Sequence, residues 1–154
     1  MDIRVAIPED ALAISALIKS LAHFFTLNPD GSGAERFLQS LEPVSIAGLI
    51  TAANFRYFVA HQDAELVGVV AIRDDVHLYH LFVAEHVHRQ GIGKQLWQYV
   101  QHIALQAGNV GHFTVNSTVY AVASYEALGF KTTGLKTERD GIAYVPMRLD
   151  FAAR

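Results

Sequence analysis

The stretch Val87-His88-Arg89-Gln90-Gly91-Ile92-Gly93-Lys94-Gln95-Leu96 follows an apolar run, Leu78 to Val83, and leads into a segment with helical periodicity. Two glycines one residue apart, flanked by Arg89 and Lys94, therefore stand where a strand gives way to a helix. The first N–H groups of a helix have no partner within it and lie at the positive end of its dipole, which suits a phosphate. Gly91 and Gly93 lack the Cβ atoms that would hold a pyrophosphate away from those donors. The same residues also fit a tight strand-to-helix turn with no ligand, so the loop alone leaves both readings open.

Two better-known nucleotide templates fail here. A P-loop needs a glycine five places before its Gly-Lys pair and Ser or Thr after it. Those places hold His88 and Gln95. The dinucleotide fingerprint needs a third glycine three places after the second, where Leu96 stands, and belongs near the start of a βαβ unit rather than past mid-chain.

The rest of the chain limits the class. Its 154 residues suit one domain, 1–154, with a substantial core, and 51% hydrophobic content is too high for disorder. No apolar run approaches the roughly 20 residues of a membrane helix, and the acidic start at Asp2 has no leader pattern. Without cysteine there is no disulfide, thiol nucleophile or Cys-ligated metal, and a net charge of −3 argues against general nucleic-acid binding. The expectation is a soluble, cytoplasmic globular domain with no membrane or nucleic-acid partner.

Ile3, Val5 and Ile7 alternate as in a strand, and Pro8 with Glu9 and Asp10 suits a first helical turn. Apolar spacing from Ala11 predicts a helix to about His23–Phe25. A second helical region, Ala34 to Leu41 and then Val44 to Ala53, is broken by Pro43. Strands follow at Phe55–His61, Glu65–Arg73 and Val76–Ala84, separated by turns at Gln62-Asp63-Ala64 and Asp74-Asp75. The helix after the glycine loop ends at Gly108, Phe113–Val115 is a buried strand, and Val119–Leu128 is a short helix closed by Gly129. Strands at about Phe130–Thr137 and Ala143–Leu149 flank Asp140-Gly141, a hairpin dipeptide. This order, β-α-α-β-β-β-α-β-α-β-β, predicts an α/β fold of one mixed sheet with helices on both faces, about seven strands and four helices. A locally parallel pair brackets the glycine loop.

A second segment adds chemistry: Asn116 at a strand end, a helix two or three residues on, then Tyr125-Glu126-Ala127-Leu128-Gly129-Phe130. Together with Gly91-Ile92-Gly93, this resembles the GNAT family of acetyl-CoA-dependent N-acyltransferases. The likeness spans nearly the whole chain, from Arg4-x-Ala6-x-Pro8-Glu9-Asp10-Ala11 through Leu81-Phe82-Val83 before the loop. It implies that the backbone of Leu81, Phe82 and Val83 pairs with pantetheine like an added strand. The loop His88, Arg89, Gln90, Gly91, Ile92, Gly93 and Lys94 would cradle the pyrophosphate, with the Asn116 side chain hydrogen-bonding the pantetheine arm. Tyr125 would act as general acid beside the sulfur; a phenol near pKa ~10 can protonate a thiolate, a contribution of roughly 10²- to 10⁴-fold. Two positions depart from the family pattern: His88 replaces the usual Gln or Arg, and Ile7 replaces the hydroxyl residue before the proline.

An amine must lose a proton to attack a thioester. His77 falls where some family members carry a catalytic glutamate, and an ordinary imidazole pKa near ~6.5 suits a base or a residue that orders a basic water. Period-two alternation puts His77 and Tyr79 on one face and His80 on the other. A strand-surface histidine with no duty remains the competing reading. Neither His77 with His80 nor His86 with His88 has a carboxylate or cysteine partner at ligand spacing, so no metal is expected. Tyr125 also fits as a packed core aromatic. His23, Phe24, Phe25 and Phe37 could wall an apolar acceptor pocket, though core packing explains them as well. The resulting expectation is acetyl transfer from acetyl-CoA to a primary amine on a small molecule or protein, in a ternary complex, with a homodimer left open. A non-catalytic acyl-CoA-binding or regulatory domain of the same fold is the alternative.

Overall fold

A computed structural model of the chain describes residues 1–151. The elements run β1 (Asp2–Val5), a 3-10 turn (Pro8–Asp10), α1 (Ala11–Ser20), a 3-10 turn (Ala22–Phe24), α2 (Glu35–Gln39), α3 (Pro43–Thr51), β2 (Phe55–Gln62), β3 (Glu65–Arg73) and β4 (His77–Val83). After a 3-10 turn at Glu85–Val87 come α4 (Ile92–Gln106), β5 (His112–Ser117), a 3-10 turn at Val119–Ala121, α5 (Val122–Ala127), β6 (Lys131–Thr132), β7 (Thr137–Arg139) and β8 (Ile142–Asp150). The mixed α/β class is as expected, with eight strands and five α-helices among the described residues where about seven and four were anticipated. The helical region divides at Pro43 as expected, and Pro43 itself starts α3, because its fixed φ and missing N–H suit a first helical position. The single strand expected over Phe130–Thr137 divides into β6 and β7.

The strands lie in the order β1-β2-β3-β4-β5-β8-β6, with β7 paired to β8. Every pairing is antiparallel except β4 with β5, the pair joined through α4. Three tight turns use left-handed backbone, at Asp63-Ala64, Asp74-Asp75 and Asp140-Gly141. The last is the anticipated two-residue hairpin, in which two consecutive positive φ values match the twist of the flanking strands.

Adjacent residues of β2 identify the two faces. Phe58 meets Tyr99 of α4 edge-on, with ring centroids 5.1 Å apart. Its neighbour Tyr57 points the other way, toward His80. Trp97 of α4 packs edge-to-face on Phe113 of β5 and against Phe130 beyond α5, so α4 and α5 share the first face. Trp97, not Tyr99, is the fully buried aromatic of α4. On the second face, Phe82 of β4 meets Phe25, just past α1. Ile14, Ile18 and Ile46 of α1 and α3 are wholly buried. Each such aliphatic side chain contributes roughly 1.5–3 kcal/mol by leaving water.

The entry to α1 compensates for Ile7, which has no side-chain acceptor. The Asp10 carboxylate instead accepts from the Ile7 N–H at 2.8 Å and takes two 2.8 Å bonds from the Arg4 guanidinium. Arg4 first, then the Ile7 amide, hold the Asp10 carboxyl below its ordinary pKa against the effect of burial.

Candidate active site

The site begins with a local irregularity in β4. Across from β3, Ala71 pairs with His80 but Ile72 pairs with Leu78, which leaves Tyr79 as an extra residue, a β-bulge. Directly beyond it, β4 and β5 separate. Their parallel pairing comprises His77 with Thr114 and Leu78 with Val115, and no later residues of the two strands pair. Each strand remains paired on its outer side, β4 to β3 as far as Val83 and β5 to β8 as far as Ser117. A bulge bends its strand and raises the local twist, which accounts for a wedge opening at this point. The facing backbone edges of Leu81 to Val83, apart from the Val83 carbonyl, and of Asn116 are therefore free to receive an extended ligand.

The mouth of the wedge at the end of β4 faces the glycine loop. Gly91 is the N-cap of α4 with φ +80, a left-handed conformation shared by Arg89 at φ +66. Among the described residues, the backbone amides from Arg89 to Lys94 bond no protein acceptor; the first amide of this helix to do so is that of Gln95, on the Gly91 carbonyl. A Cβ on Gly91 would meet nothing within 4 Å, so glycine here serves the backbone angle. A Cβ on Gly93 would reach only ordinary contact with Val83, at 3.7 Å. Packing within the chain does not require glycine at 93; the open ground above the helix N-terminus is what its small size preserves. His88, expected in the cradle, has a different partner: its Nε2 lies 2.7 Å from the Val83 carbonyl and ties the loop to the end of β4.

On the opposite wall, Asn116 is exposed on β5, with no recorded side-chain partner. It shares a face with Thr114. Tyr125 of α5 is buried at 7% exposure with its ring edge on Phe130, centroids 5.5 Å apart. Its hydroxyl has no recorded hydrogen bond, yet among the described residues no sealed side-chain oxygen or nitrogen lacks a partner. The phenol oxygen therefore opens on accessible space. Burial raises its pKa well above the ordinary value, so it carries its proton at every working pH.

The histidines of β4 depart from the alternation read in the sequence. His77 pairs with Arg73, which pairs with Phe55, so all three share the second face. Tyr79 meets Phe55 edge-on at 5.0 Å and lies under the Arg73 guanidinium, on that same face. His80 joins them: its Nδ1 is 3.1 Å from the Tyr57 hydroxyl, two residues along β2 from Phe55. The bulge at Tyr79 consumes one step of the alternation, which corrects the expectation that His80 faces away. His77 sits in the closed part of the β4–β5 pair, its Nδ1 bonded to Thr114 Oγ1 at 2.8 Å. Burial, and secondly the charge of Arg73, push its pKa down to about 4, so the ordinary value that recommended it as a base does not apply. His80, Tyr57 and Thr114 were not singled out as site residues from sequence. The signal that links them is the strand register, which no single segment carries.

Of the aromatics considered for an acceptor pocket, Phe25 meets Phe37 and Phe82 edge-on or tilted, while Phe24 meets His23 and Tyr120. The segment after Phe24 is stitched to the last hairpin by Leu27 N–H on the Gly141 carbonyl at 2.8 Å and Ala143 N–H on the Phe25 carbonyl at 3.1 Å. The described residues contain no group of three or more His, Cys, Asp or Glu able to hold a metal ion, and no helix is long and apolar enough to cross a membrane.

The sheet is thus opened between two parallel strands, with unpaired amides at the start of α4 near the mouth of the opening. The acetyltransferase (GNAT) domain family matches residues 25–151, and the chain belongs to that family of acetyltransferases. Solved structures share the fold. The PaiA N-acetyltransferase of Thermoplasma acidophilum in complex with coenzyme A is 15% identical, with a TM-score of 0.77 over 98% of this chain and all of that one. An aminoglycoside 6'-acetyltransferase type Ii is 16% identical, with a TM-score of 0.71 over 100% and 99% of the two chains. The ribosomal-protein-alanine N-acetyltransferase of Brucella melitensis is 19% identical, with a TM-score of 0.67 over 98% and 100%. No curated protein matches the chain in sequence.

Proposed function

We propose that this acetyltransferase, a single domain over 1–154, moves the acetyl group of acetyl-CoA to a primary amine by direct attack within a ternary complex. The observation that carries this reading is the wedge between β4 and β5 with the unpaired amides of Arg89 to Lys94 at its mouth. These groups fit the cofactor: the amides and the dipole of α4 suit a pyrophosphate, and free strand edges suit the amides of pantetheine. Acetyl-CoA supplies a thioester carbonyl as electrophile and a thiolate as leaving group.

The chain's own groups then have distinct duties. Leu81, Phe82 and Val83 offer backbone partners on one side of the wedge, the Val83 carbonyl excepted because His88 holds it, and Asn116 offers its amide on the other. The substrate amine, having lost one proton, forms the new C–N bond as the C–S bond breaks. Tyr125 gives its proton to the departing sulfur, and the second amine proton, passed through solvent as the amide forms, restores the phenol. The raised pKa keeps the phenol protonated between turnovers, and it is the thiolate charge developing on the departing sulfur that draws the proton across. For the first proton we assign His77 to ordering a water with Thr114, because its lowered basicity disfavours holding the proton itself.

Calorimetry with acetyl-CoA, followed by thiol release over a panel of amines, tests the reading. The panel comprises an aminoglycoside, a peptide with N-terminal alanine, a lysine peptide, a polyamine and an arylalkylamine. Saturable binding with turnover on at least one amine is expected. Binding without turnover on any of them turns the assignment to a non-catalytic CoA-binding domain, and no binding overturns both.

A further inference from the structure

We propose that His80 is a catalytic residue: Tyr57 holds its Nδ1, and its Nε2–H donates to the carbonyl oxygen of the bound thioester. This rests on the acetyl-transfer reading above and adds a side-chain donor to it.

The first support is position. Pairing of β4 with β5 stops at Leu78 and Val115, so His80 is the second residue beyond the point where the wedge opens. His77 lies in the closed part and has its Nδ1 occupied by Thr114. The bulge at Tyr79 turns His80 onto the face of Phe82, Phe25 and Tyr57, opposite to the face covered by α4 and α5. An amine approaching from this face would meet the acetyl group from the side opposite Tyr125.

The second support is the tautomer. Tyr57 is buried at 3% exposure, and its hydroxyl has one recorded partner, His80 Nδ1, at 3.1 Å. Burial raises the pKa of the phenol, so it keeps its proton, and that proton has Nδ1 as its acceptor. A neutral imidazole whose Nδ1 accepts carries its hydrogen on Nε2. Nε2 has no recorded partner in the chain, yet no sealed side-chain nitrogen among the described residues is without one. The Nε2–H therefore borders accessible space, although the residue as a whole is only 7% exposed. Burial also lowers the His80 pKa to about 3, so the ring remains a neutral donor across the physiological range.

The third support is chemical. A fixed outward N–H has no lone pair with which to act as a base. Its natural target is an oxygen on which charge develops, and acyl transfer develops charge on the carbonyl oxygen. Donation to the attacking amine would engage the lone pair needed for attack. Rings packed around the imidazole, Tyr79 at 4.5 Å and Phe82 at 5.6 Å between centroids, keep water away and strengthen such a bond.

The test has two readouts. In protein labelled with ¹⁵N-histidine, NMR is expected to show His80 protonated on Nε2 and unprotonated on Nδ1 from pH 5 to 8, a preference that Tyr57→Phe relaxes. An Nδ1–H tautomer in the unaltered protein overturns the proposal. In kinetics on an amine that the panel identifies, His80→Phe is expected to lower kcat by roughly 10²- to 10³-fold, the usual cost of one oxyanion donor. The calorimetric affinity for acetyl-CoA should be unchanged. His80→Gln, whose amide N–H reaches about the same place as Nε2–H, should recover at least a tenth of the activity. Unchanged kcat in His80→Phe, equal losses in the Phe and Gln variants, or an effect confined to the acceptor KM each overturn it. Should His80→Phe fail to fold, the tautomer and the kcat of Tyr57→Phe, expected to fall about tenfold, decide. Absence of turnover in the unaltered protein is a different failure, which removes the parent reading and this one with it.

Discussion

The glycine loop and the bulged end of β4 lie on either side of Leu81 to Val83, and they build their parts of the site by opposite means. The loop works through backbone: the unpaired amides of Arg89 to Lys94, left-handed φ at Arg89 and Gly91, and a glycine at 93 that the fold itself does not require. Around Tyr79 the working groups are side chains, and their direction depends on how two other strands are registered against β4. A backbone site tolerates exchange of most side chains but not of its glycines. A side-chain site built on a bulge depends on the exact count of residues between its anchors. Substitutions should therefore separate the two regions by which constant they change: affinity for acetyl-CoA at the loop, rate at the bulge and at Tyr125.

The largest effect should come from Tyr125, the proposed acid. Tyr125→Phe keeps the ring and its contact with Phe130 and loses only the hydroxyl, which has no recorded partner in the chain. Thermal stability and acetyl-CoA affinity should hold while kcat falls roughly 10²- to 10⁴-fold. A loss of affinity matching the loss of rate would instead make this hydroxyl a cofactor contact.

Next in size is a substitution that separates ligand binding from stability. Gly93→Asp replaces a helix glycine by a residue whose negative charge is favourable in a first turn, so the melting temperature should hold or rise. The same charge would oppose a pyrophosphate a few ångströms away, and at an effective dielectric near 20 each pair of unit charges at about 4 Å costs about 4 kcal/mol. Calorimetry should show acetyl-CoA affinity reduced at least about a hundredfold. Undiminished affinity would remove the cradle from position 93.

The contrast between the two regions also explains what was legible in the chain. The strand-to-helix turn, the glycines, the Asp140-Gly141 hairpin and the Asn116 to Phe130 segment are local patterns, and each has its mechanism within a few residues. His80 was misplaced because period-two alternation assumes one residue per step, and the extra residue at Tyr79 is defined only against Ala71 and Ile72 of β3. His88 stands where the family pattern has Gln or Arg, and its bond to the Val83 carbonyl depends on how the 3-10 turn at Glu85–Val87 folds back. The tie between Leu27 and Gly141 joins residues over a hundred apart and left no local mark. The basicity of His77 was misjudged for the same reason, since burial and Arg73 are properties of the assembled sheet.

A milder prediction concerns the pH profile of the reaction. If His77 and Thr114 order the water that takes the amine proton, His77→Ala should lower kcat/KM about tenfold and move the acidic limb of the profile. Thr114→Val should do the same in part. With the pKa of His77 at about 4, the unaltered enzyme should show no limb near the ordinary imidazole value that belongs to this residue. An unchanged profile in His77→Ala removes it from the proton path.

The smallest effect is on stability and bears on both histidines of β4. His77 and His80 are held neutral by burial, with pKa values of about 4 and about 3, against ~6.5 in the unfolded chain. For bases whose folded pKa is depressed, the unfolded state binds more protons once the pH drops below ~6.5. Their contribution is therefore complete above that pH and is lost as the pH falls toward the folded values. Each can steepen the decline by up to roughly 1.4 kcal/mol per pH unit within its window. Asp10, Asp30 and Glu35, whose folded pKa values are also lowered, act around and below the ordinary carboxylate range, so the interval from about pH 6.5 to 5.5 belongs to the histidines. Urea denaturation across that interval should show stability falling with pH, and the slope should flatten in His77→Gln and in His80→Gln. A flat profile in the unaltered protein would mean that neither ring is held neutral, and would withdraw the charge state on which the His80 donor depends.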